Sequence, residues 1–487
     1  MSGAIGLWML ACVALLMVAT GLPAWNLLIG VASLFSVAGI AFDIISPTLF
    51  SALPSRLLGL LESDLLQALP LYVLMGVLLN RLPLAQALFA SGSRLLSPLG
   101  AARPLAGLGL GVLLSPMNGS VGASVAMLSR TLLPRLDAAG VAPARAAALV
   151  CVASTLGVVI PPSLVLILLG DAMLRAHTEA VNATHVAVRI INTQDIFRGA
   201  LIPAAILVAL CLIAAWLTNW RADQGSPERP SAGQWLTALV AATAILGLLG
   251  SVALGYLYAV EAAAAGGVAL FVFGLATRSL SRPVLAEVLR ETMAISGALF
   301  ALLVAANVFT LVLRAFETDR WLAVWLADLG GGPYTALAVV VALLFVCAFV
   351  LDAFEMIFVV IPILLPPLLI RIPDATWVAV ITLLILQASF ILPPFGYAVL
   401  MIGNRLARPV GTRAMAAALA PFVAIQIAVL ALVVAVPSLL WRIPDAPASA
   451  GASAGLLSED EIREQFDKLM REQDSNSTTR KPPGQHQ

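Results

Sequence analysis

Residues 154–170 read STLGVVIPPSLVLILLG, an apolar stretch with two consecutive prolines, Pro161 and Pro162, near its middle. The stretch is apolar enough for a membrane, but a proline pair removes two backbone donors and clashes with the preceding turn. Within a bilayer, backbone that is not helical survives only where it is buried in protein or lines a polar cavity. We therefore predict a spanning helix that is broken at mid-membrane depth and exposes backbone amides and carbonyls there.

A second copy of this arrangement lies 232 residues further along the chain. Adding 232 to 161 and to 162 gives Pro393 and Pro394, within the stretch SFILPPFG of residues 389–396. The same offset superimposes a third proline and takes Ser120 to Asp352. Paired broken segments in the two halves of a membrane protein point to the binding site of a transporter. The sequence therefore predicts a transporter built from two related halves.

The composition agrees with a membrane protein of many spans. Of the 487 residues, 61% are hydrophobic and 11% are charged, and the mean hydropathy is +1.01. Soluble domains contain about 25% charged residues. We predict an all-α polytopic membrane protein with ten to twelve spans. The net charge of +1 does not point to nucleic acid, and the four cysteines lie in apolar runs, as packing residues do.

The predicted organisation follows from the repeat and from the polar breaks. Residues 1–220 form the first half, 221–232 a linker, and 233–441 the second half. Interrupted apolar runs at 108–136 and 343–370 predict re-entrant hairpins, and broken helices are expected at 155–170 and 389–402. The polar tail, 442–487, is predicted to be mostly disordered, with one short solvated helix that starts at the capping box of residues 458–461.

The first hairpin contains a group of small polar residues in the sequence SPMNGSVGASVAML, residues 115–128. Asn118, Ser120 and Ser124 offer side-chain oxygens, and Gly119 lets the backbone turn tightly. Such oxygens suit Na⁺, while helix N-termini at the same break favour a substrate carboxylate. The alternative is that these residues only let two helices pack closely.

Asp352 is the most informative charged residue, because it follows the apolar run VALLFVCAFVL. A carboxylate at the bilayer centre costs at least roughly 2.5–3.5 kcal/mol, so such residues usually face a cavity and have a function. The alternative is a residue that reaches polar surroundings at the mouth of the hairpin. Glu355, three residues later, makes a structural hydrogen bond or forms an acid/base pair with Asp352. No nucleophile, metal-ligand set or phosphate-binding loop accompanies the pair. We therefore predict that the protein is not an enzyme, and a polytopic membrane enzyme that uses Asp352 and Glu355 is the less favoured alternative.

Six motifs in one order resemble the large permease subunit (DctM-like) of tripartite ATP-independent periplasmic (TRAP) transporters, most of all the mannitol/chloroaromatic branch. The motifs are LPLYVLMGVLLNR (69–81), SPMNGSVGASVAML (115–128), TLGVVIPPSLVLILLGD (155–171), VEAAAAGGVALF (260–271), LDAFEMIFVVIPILLPPL (351–368) and LPPFGYAVL (392–400). The resemblance covers about residues 20–441 and leaves the tail outside it.

The resemblance implies a multi-pass protein of the bacterial inner membrane that imports small organic acids by Na⁺-coupled secondary transport. It implies inverted repeats, discontinuous helices, two re-entrant hairpins and an elevator-type motion. The expected partners are a small membrane subunit (DctQ-like), a periplasmic substrate-binding protein (DctP-like) and the lipid bilayer. No cofactor is expected apart from Na⁺ as the coupling ion. A stand-alone Na⁺/anion symporter of the same architecture is the alternative function.

Motif and resemblance together give two sets of candidate residues. The candidate substrate-binding and gating residues are Asn118, Gly119, Ser120, Ser124, Pro161, Pro162, Ser163, Pro393, Pro394 and Gly396. The candidate Na⁺ ligands are Ser120, Thr155, Gly157, Asp352 and Ser389. Leu392 stands where relatives often have a threonine, so one hydroxyl ligand of the family pattern is missing here.

Overall fold

The computed structural model describes residues 3–62, 64–118, 120–184, 189–220, 229–392, 396–406 and 409–440. Within these ranges the only regular elements are helices, so the predicted all-α class is confirmed. The contact pattern separates Met1–Trp441 from Arg442–Gln487. The predicted tail helix and most of the predicted linker lie outside the described residues.

Twenty α-helices follow one another in the described ranges. In the first half they are α1 (Ala4–Thr20), α2 (Ala24–Ala41), α3 (Leu53–Leu61), α4 (Asp64–Arg81), α5 (Leu84–Leu95), α6 (Ala102–Leu114), α7 (Val121–Ala138), α8 (Pro143–Leu156), α9 (Leu164–Thr184) and α10 (Thr193–Asn219). In the second half they are α11 (Ala232–Leu254), α12 (Ala259–Ala276), α13 (Arg282–Ala315), α14 (Thr318–Asp328), α15 (Pro333–Ala348), α16 (Ala353–Glu355), α17 (Ile361–Arg371), α18 (Ala375–Ser389), α19 (Tyr397–Gly403) and α20 (Thr412–Ala435). A π-helical turn, Met356–Val360, joins α16 to α17.

Local sequence explains where many of these helices begin and end. Pro143 and Pro333 occupy the first helical position of α8 and α15, where a missing N–H costs nothing. Ser231 caps α11 and Gln234 returns a bond to its backbone, which satisfies two free amides at once. The same helix ends at Gly255, whose φ of 84° is readily adopted by glycine.

Two helical hairpins are present, and both are longer than predicted. In hairpin 1, α6 packs against α7, and both pack against α8; in hairpin 2, α15 packs against α17 and α18. Hairpin 1 extends over 102–138 and hairpin 2 over 333–371, whereas the sequence predicted 108–136 and 343–370. The predicted starts were too late because a helix tolerates proline in its first turn, and Pro104 and Pro333 lie there.

The order of elements in hairpin 1 and its broken helix recurs at the offset found in the sequence. Helices α7 and α16 begin at residues 121 and 353, and α8 and α18 begin at 143 and 375; both differences are 232. The packing is reciprocal as well. Helix α9 packs against α17 while α19 packs against α7, and α10 packs against α18 while α20 packs against α8. Such an exchange of contacts is what a pseudo-two-fold axis produces.

The two hairpins enter the membrane from opposite sides. Five crossings separate them. The first is the broken pair α8–α9. The other four are α10, α11, α12 and α13, each of which is long and apolar enough to span by itself. Because five is odd, hairpin 2 starts on the side opposite to hairpin 1, so the repeat is inverted. We call the side where α6 begins the hairpin-1 face and the side where α15 begins the hairpin-2 face.

Seven single helices in the described ranges have the length and hydropathy of a span, and α4 with α5 forms a pair bent by 63°. One of the seven, Ala353–Arg371, is an arm of hairpin 2 and does not cross. Ten crossings result: the six remaining single helices, the α4–α5 pair, the shorter apolar α1, and the broken pairs α8–α9 and α18–α19. This number is at the lower end of the predicted range. Helix α13 has 34 residues, so at 1.5 Å per residue it is about 51 Å long and extends beyond the hydrocarbon core.

Ion pairs join the ends of α13 to other helices at both faces. At the hairpin-1 face, Arg81 of α4 donates to Glu287 at 3.0 Å and to Glu291 at 2.9 Å. At the hairpin-2 face, Arg314 donates to Glu179 of α9 at 2.8 Å. The first contact joins two continuous spans, whereas the second joins a continuous span to a broken helix.

Candidate functional site

The turn of hairpin 1 is held by polar contacts among its own residues. Ser120 is the N-cap of α7, and its Oγ accepts a hydrogen bond from Ala123 N at 3.1 Å. Asn118 Nδ2 donates to Ser124 Oγ at 3.0 Å, and Ser124 Oγ donates to the Ser120 carbonyl at 3.3 Å. Asn118 Oδ1 is buried and has no partner among the described residues. One oxygen acceptor therefore remains available at the tip, while Gly119 lies outside the described residues.

The first broken helix stops where the proline pair predicts. Helix α8 ends at Leu156 and α9 begins at Leu164; the Pro161–Pro162 peptide bond between them is cis. Ser163 bridges the gap, because its Oγ donates to the Val158 carbonyl at 2.7 Å and accepts from Leu166 N at 3.1 Å. The side chain thereby satisfies one backbone group on each side of the break.

Hairpin 1 and the break come into direct contact at Gly157. A Cβ on Gly157 would collide with the backbone and side chain of Ser115 and with Pro116, so only glycine fits there. Ser115 Oγ donates to the Ala153 carbonyl at 3.0 Å, which fixes the turn of the hairpin against the end of α8. The contact brings two segments together that lie about forty residues apart in the sequence.

A small cavity lies between the hairpin tip and the break, and we call it the tip cavity. Its volume is about 10 Å³, close to the smallest volume that holds one water molecule or one small ion. The polar residues and the glycine that line it are Ser115, Asn118, Ser120, Ser124, Ser154, Gly157 and Ser163. Five of these were predicted as site residues: Asn118, Ser120, Ser124 and Ser163 from the substrate-binding and gating set, and Gly157 from the Na⁺ set.

Three helix ends meet at the tip cavity. The N-termini of α7 and α9 have a partial positive charge, and the C-terminus of α8 has a partial negative charge. A cation and a carboxylate can therefore be favoured at adjacent positions, the cation near α8 and the anion near α7 and α9.

Three predicted residues of this half lie beside the tip cavity and do not line it. Thr155 is fully buried, and its Oγ1 donates to the Val152 carbonyl at 3.1 Å. Pro161 and Pro162 form the break and contribute no atoms to the lining. Ser154, by contrast, lines the cavity and was missed by the sequence analysis. Its position three residues before Gly157, on the same helical face, is the pattern that would have identified it.

The tip of hairpin 2 is charged where that of hairpin 1 is neutral. Asp352 caps α16 and its Oδ1 accepts from Ala353 N at 2.7 Å, while Glu355 Oε2 accepts from Asp352 N at 3.0 Å. Glu355 is buried and Asp352 is half-buried. The predicted structural hydrogen bond of Glu355 is therefore present. No group of three acidic, histidine or cysteine residues that could hold a metal occurs in the described part of the chain.

The second broken helix is described at both of its ends. Helix α18 ends at Ser389, whose Oγ donates to the Leu386 carbonyl at 2.7 Å, and α16 packs against α18. Gly396 N donates to the Leu392 carbonyl at 2.8 Å just before α19. The predicted site residues Pro393 and Pro394 lie outside the described residues. The two predicted Na⁺ ligands of this half, Asp352 and Ser389, therefore belong to two elements that touch.

Tyr397 lies against the tip of hairpin 1 and was not singled out in the sequence. A Cβ on Gly122, near the tip of hairpin 1, would lie 2.8 Å from Tyr397 Oη. Helix α19, which begins at Tyr397, packs against α7 of hairpin 1, while α18 of the same broken helix packs against α16 of hairpin 2. Only the position of Tyr397, next to Gly396 at the end of the second break, could have indicated this role. The second broken helix therefore contacts both hairpins.

Curated relatives align over most of this chain. The chain is 24% identical over 411 residues to the C4-dicarboxylate TRAP transporter large permease protein DctM of Pseudomonas aeruginosa, covering 82% of this chain and 91% of that protein. It is 23% identical over 381 residues to the sialic acid TRAP transporter permease protein SiaT of Haemophilus influenzae, covering 76% of this chain and 59% of that protein.

A solved structure shares the fold. The YdaH transporter of Alcanivorax borkumensis superimposes with a TM-score of 0.60 at 16% sequence identity, covering 80% of this chain and 88% of that one. The profile of the family described as "Tripartite ATP-independent periplasmic transporter, DctM component" matches residues 10–439. The chain therefore belongs to the DctM family, the large permease subunits of TRAP transporters, which are secondary transporters of the inner membrane rather than enzymes.

Proposed function

We propose that this permease imports small organic acids by coupling their movement to Na⁺, with the tip cavity as one Na⁺ site. The observation behind this proposal is the tip cavity itself: neutral oxygens surround a space of ionic size beside the broken end of α8. Broken helices whose carbonyl ends face a midplane site coordinate Na⁺ in other transporters, while their N-terminal halves face anionic substrates. The unpartnered Asn118 Oδ1 supplies a further ligand oxygen.

The charged tip of hairpin 2 is proposed as a second Na⁺ site. Asp352 and Ser389 are its candidate ligands, and the inverted repeat puts this tip opposite the first. A carboxylate here attracts a cation more strongly than the neutral Ser120 at the equivalent position does. The substrate carboxylate would then bind between the two occupied tips, near Tyr397 and the N-termini of α7 and α9.

The distribution of arginine supports an orientation with the hairpin-1 face in the cytoplasm. Arginines are enriched on the cytoplasmic side of membrane proteins. Among the described residues, the hairpin-1 face has Arg81, Arg94, Arg103, Arg130, Arg135, Arg145, Arg229, Arg278, Arg282, Arg290, Arg405 and Arg413. The hairpin-2 face has the smaller set Arg56, Arg175, Arg189, Arg198, Arg314, Arg320 and Arg371 in the same described ranges. In this orientation hairpin 2 faces the periplasm.

We infer that the chain works with a small membrane subunit and a periplasmic binding protein, which would deliver the substrate to the hairpin-2 face. The names of the two relatives given above refer to a C4-dicarboxylate and to sialic acid, and both compounds are carboxylates. A carboxylate substrate also fits the helix N-termini at the tips.

In the mechanism we propose, Na⁺ at the two tips orders the backbone of the breaks and thereby completes the carboxylate site. A ligand shifts a conformational equilibrium only through its different affinities for the two states. Sodium therefore strengthens substrate binding, and by linkage the substrate strengthens sodium binding by the same factor. The hairpins and broken helices then move together against the continuous spans in an elevator-type motion.

The test is uptake into liposomes that contain the chain and its small subunit, with the binding protein added outside. Uptake of the carboxylate bound by that protein is measured with and without an inward sodium gradient. The proposal expects uptake only when both the gradient and the binding protein are present. Uptake with sodium but without the binding protein identifies a stand-alone symporter, and equal uptake without a gradient contradicts sodium coupling. Uptake of sulfonates but not carboxylates would correct the substrate class.

A further inference from the structure

A much larger cavity, about 660 Å³, opens at the hairpin-1 face. Its walls are the outer half of α7, the beginning of α8 and the residues just after α19. Arg130, Asp137 and Arg405 line it together with apolar residues such as Leu133 and Val141. Pockets for small organic ligands measure about 300–1,000 Å³ and combine apolar walls with a few polar groups. The cavity therefore has the size and the composition of a ligand site.

The inverted repeat explains why this space is empty of protein. Subtracting 232 from 403, the last residue of α19, gives 171, yet the equivalent helix α9 continues to Thr184. Beyond that point, α9 faces α17 and leaves a cavity of only about 140 Å³ between them. Helix α19 ends at Gly403, so among the described residues it has no equivalent turns along α7. The cavity is thus the place of a helix segment that one half has and the other lacks.

The charges on the hairpin helix that lines the cavity are also confined to one half. Adding 232 to 129, 130 and 137 gives Ile361, Pro362 and Leu369, where the first half has Ser129, Arg130 and Asp137. The equivalent groove of hairpin 2 is narrower, with a cavity of about 140 Å³, and the charged residues that line it come from α9 and α14 rather than from the hairpin. In the hairpin-1 groove, by contrast, Arg130 and Asp137 belong to the hairpin helix itself.

Both arginines have guanidinium N–H groups that make no hydrogen bond to the described residues. Arg130 donates from Nε to the carbonyl of Ala126 at 3.2 Å, and its terminal nitrogens have no partner among the described residues. The side chain of Arg405 has none there either, and both residues are exposed. Asp137 offsets one of the two positive charges, so these three side chains give the cavity a net charge of +1. Guanidinium groups bind carboxylates with paired, charge-assisted hydrogen bonds.

We propose that this cavity, which we call the arginine cavity, binds a small organic carboxylate on the hairpin-1 face, as an exit subsite separate from the tips. Helices α7 and α19 both start at the tips and end at this cavity. Arg130 lies ten residues after Ser120, so the two sites are about 15 Å apart along α7. A solute released from the tips would meet the arginines before it reaches bulk solvent. The choice of a carboxylate as ligand rests on the proposed function.

The test measures carboxylate binding to the purified full chain, without sodium and without the binding protein. The probes are succinate, benzoate and N-acetylneuraminate, and the readout is the dissociation constant from ligand-induced thermal shifts. We expect at least one probe to bind, with affinity reduced at least tenfold in Arg130→Gln and in Arg405→Gln. Arg413→Gln, an exposed arginine outside the cavity at the start of α20, serves as the matched control and binds like the wild type.

A further variant separates the two sites. Asn118→Ala alters the tip and leaves the arginine cavity intact, so binding to the cavity persists in it. The proposal is overturned when no probe binds, when the arginine variants bind like the wild type, or when only Asn118→Ala loses binding. Stabilisation by phosphatidylglycerol vesicles alone would also overturn it, in favour of a lipid headgroup site. Since sodium is absent, these results do not depend on whether uptake is sodium-coupled.

Discussion

The two halves of the molecule share one backbone plan and differ in what they place at its equivalent points. Both have a hairpin whose second arm begins at a capping residue, followed by a broken helix. The cap is Ser120 in the first half, where its hydroxyl accepts from Ala123 N. It is Asp352 in the second half, where a carboxylate accepts from Ala353 N. The same geometry therefore offers a neutral site at one tip and an anionic site at the other.

The halves also differ in the length of the helix that follows each break. Helix α9 has 21 residues and α19 has 7, and the missing turns leave the arginine cavity open. Hairpin 2 has a π-helical turn four residues after its cap, whereas α7 is a regular α-helix. The difference teaches that the repeat fixes where sites form, while individual side chains and helix lengths fix which ligand each site takes and which face is open.

The largest expected effect comes from the contact that closes the first half. Gly157→Ala puts a Cβ into Ser115 and Pro116, and because backbone atoms cannot give way, we expect a loss of about 3 kcal/mol in the free energy of unfolding. Uptake should be abolished as well. Gly109→Ala, in the same hairpin with open space at its Cβ, is the control and should unfold like the wild type in detergent. If the two variants had the same free energy of unfolding, the proposed close contact at Gly157 would be contradicted.

The next effect separates the charged tip from the neutral one. In Asp352→Asn the carboxylate charge is lost, so the sodium concentration for half-maximal uptake should rise at least tenfold, about 1.4 kcal/mol. Ser120→Ala leaves the charge at the other tip unchanged and should raise this sodium concentration by a smaller factor. Asp374→Asn is the control, because Asp374 also caps a helix, accepting from Trp377 N at 3.0 Å. A sodium response in Asp352→Asn equal to that of the control would exclude Asp352 from the site.

A smaller effect tests how the first break is held. Ser163→Ala removes the bonds to the Val158 carbonyl and from Leu166 N, so unfolding should become easier by about 1 kcal/mol. Ser93→Ala is a matched control, since the buried Ser93 Oγ bonds only to carbonyls of its own helix. In the same denaturant titration, Ser93→Ala should lower the free energy of unfolding by less than Ser163→Ala does. If both serines gave the same change, the cap at Ser163 would contribute nothing beyond an ordinary helical serine.

The smallest expected effect concerns the ion pair between α13 and α9. The Arg314 and Glu179 side chains are 34% and 40% exposed, so solvent screens their attraction. Glu179→Gln should therefore change the free energy of unfolding by less than about 1 kcal/mol. A titration that shows a change above about 2 kcal/mol would mean that this contact is a structural anchor between the halves rather than a contact that opens as the broken helices move.

Sequence alone predicted the backbone plan better than the sites. The proline pairs predicted both breaks. The offset of 232 relates the first residue of α7 to that of α16, and the first residue of α8 to that of α18. Such features are local, because proline disrupts a helix wherever it stands. The contributions of Ser154 and Tyr397 depend on which surfaces the hairpins bring together, and an apolar sequence without charge patterns does not encode that visibly. The arginine cavity was missed for a further reason: it arises from a helix that ends early.

Sodium binding to the purified chain tests the central claim most directly, because it needs no substrate, partner or gradient. Equilibrium binding of radioactive sodium is measured for the wild type, for Asn118→Ala and for Asp352→Asn. Asn307→Ala serves as the control, since Asn307 bonds only within α13. The account predicts saturable binding that weakens at least tenfold in each tip variant and stays unchanged in the control. Absent binding, or binding of equal strength in all four proteins, would contradict a sodium site at the two opposed tips.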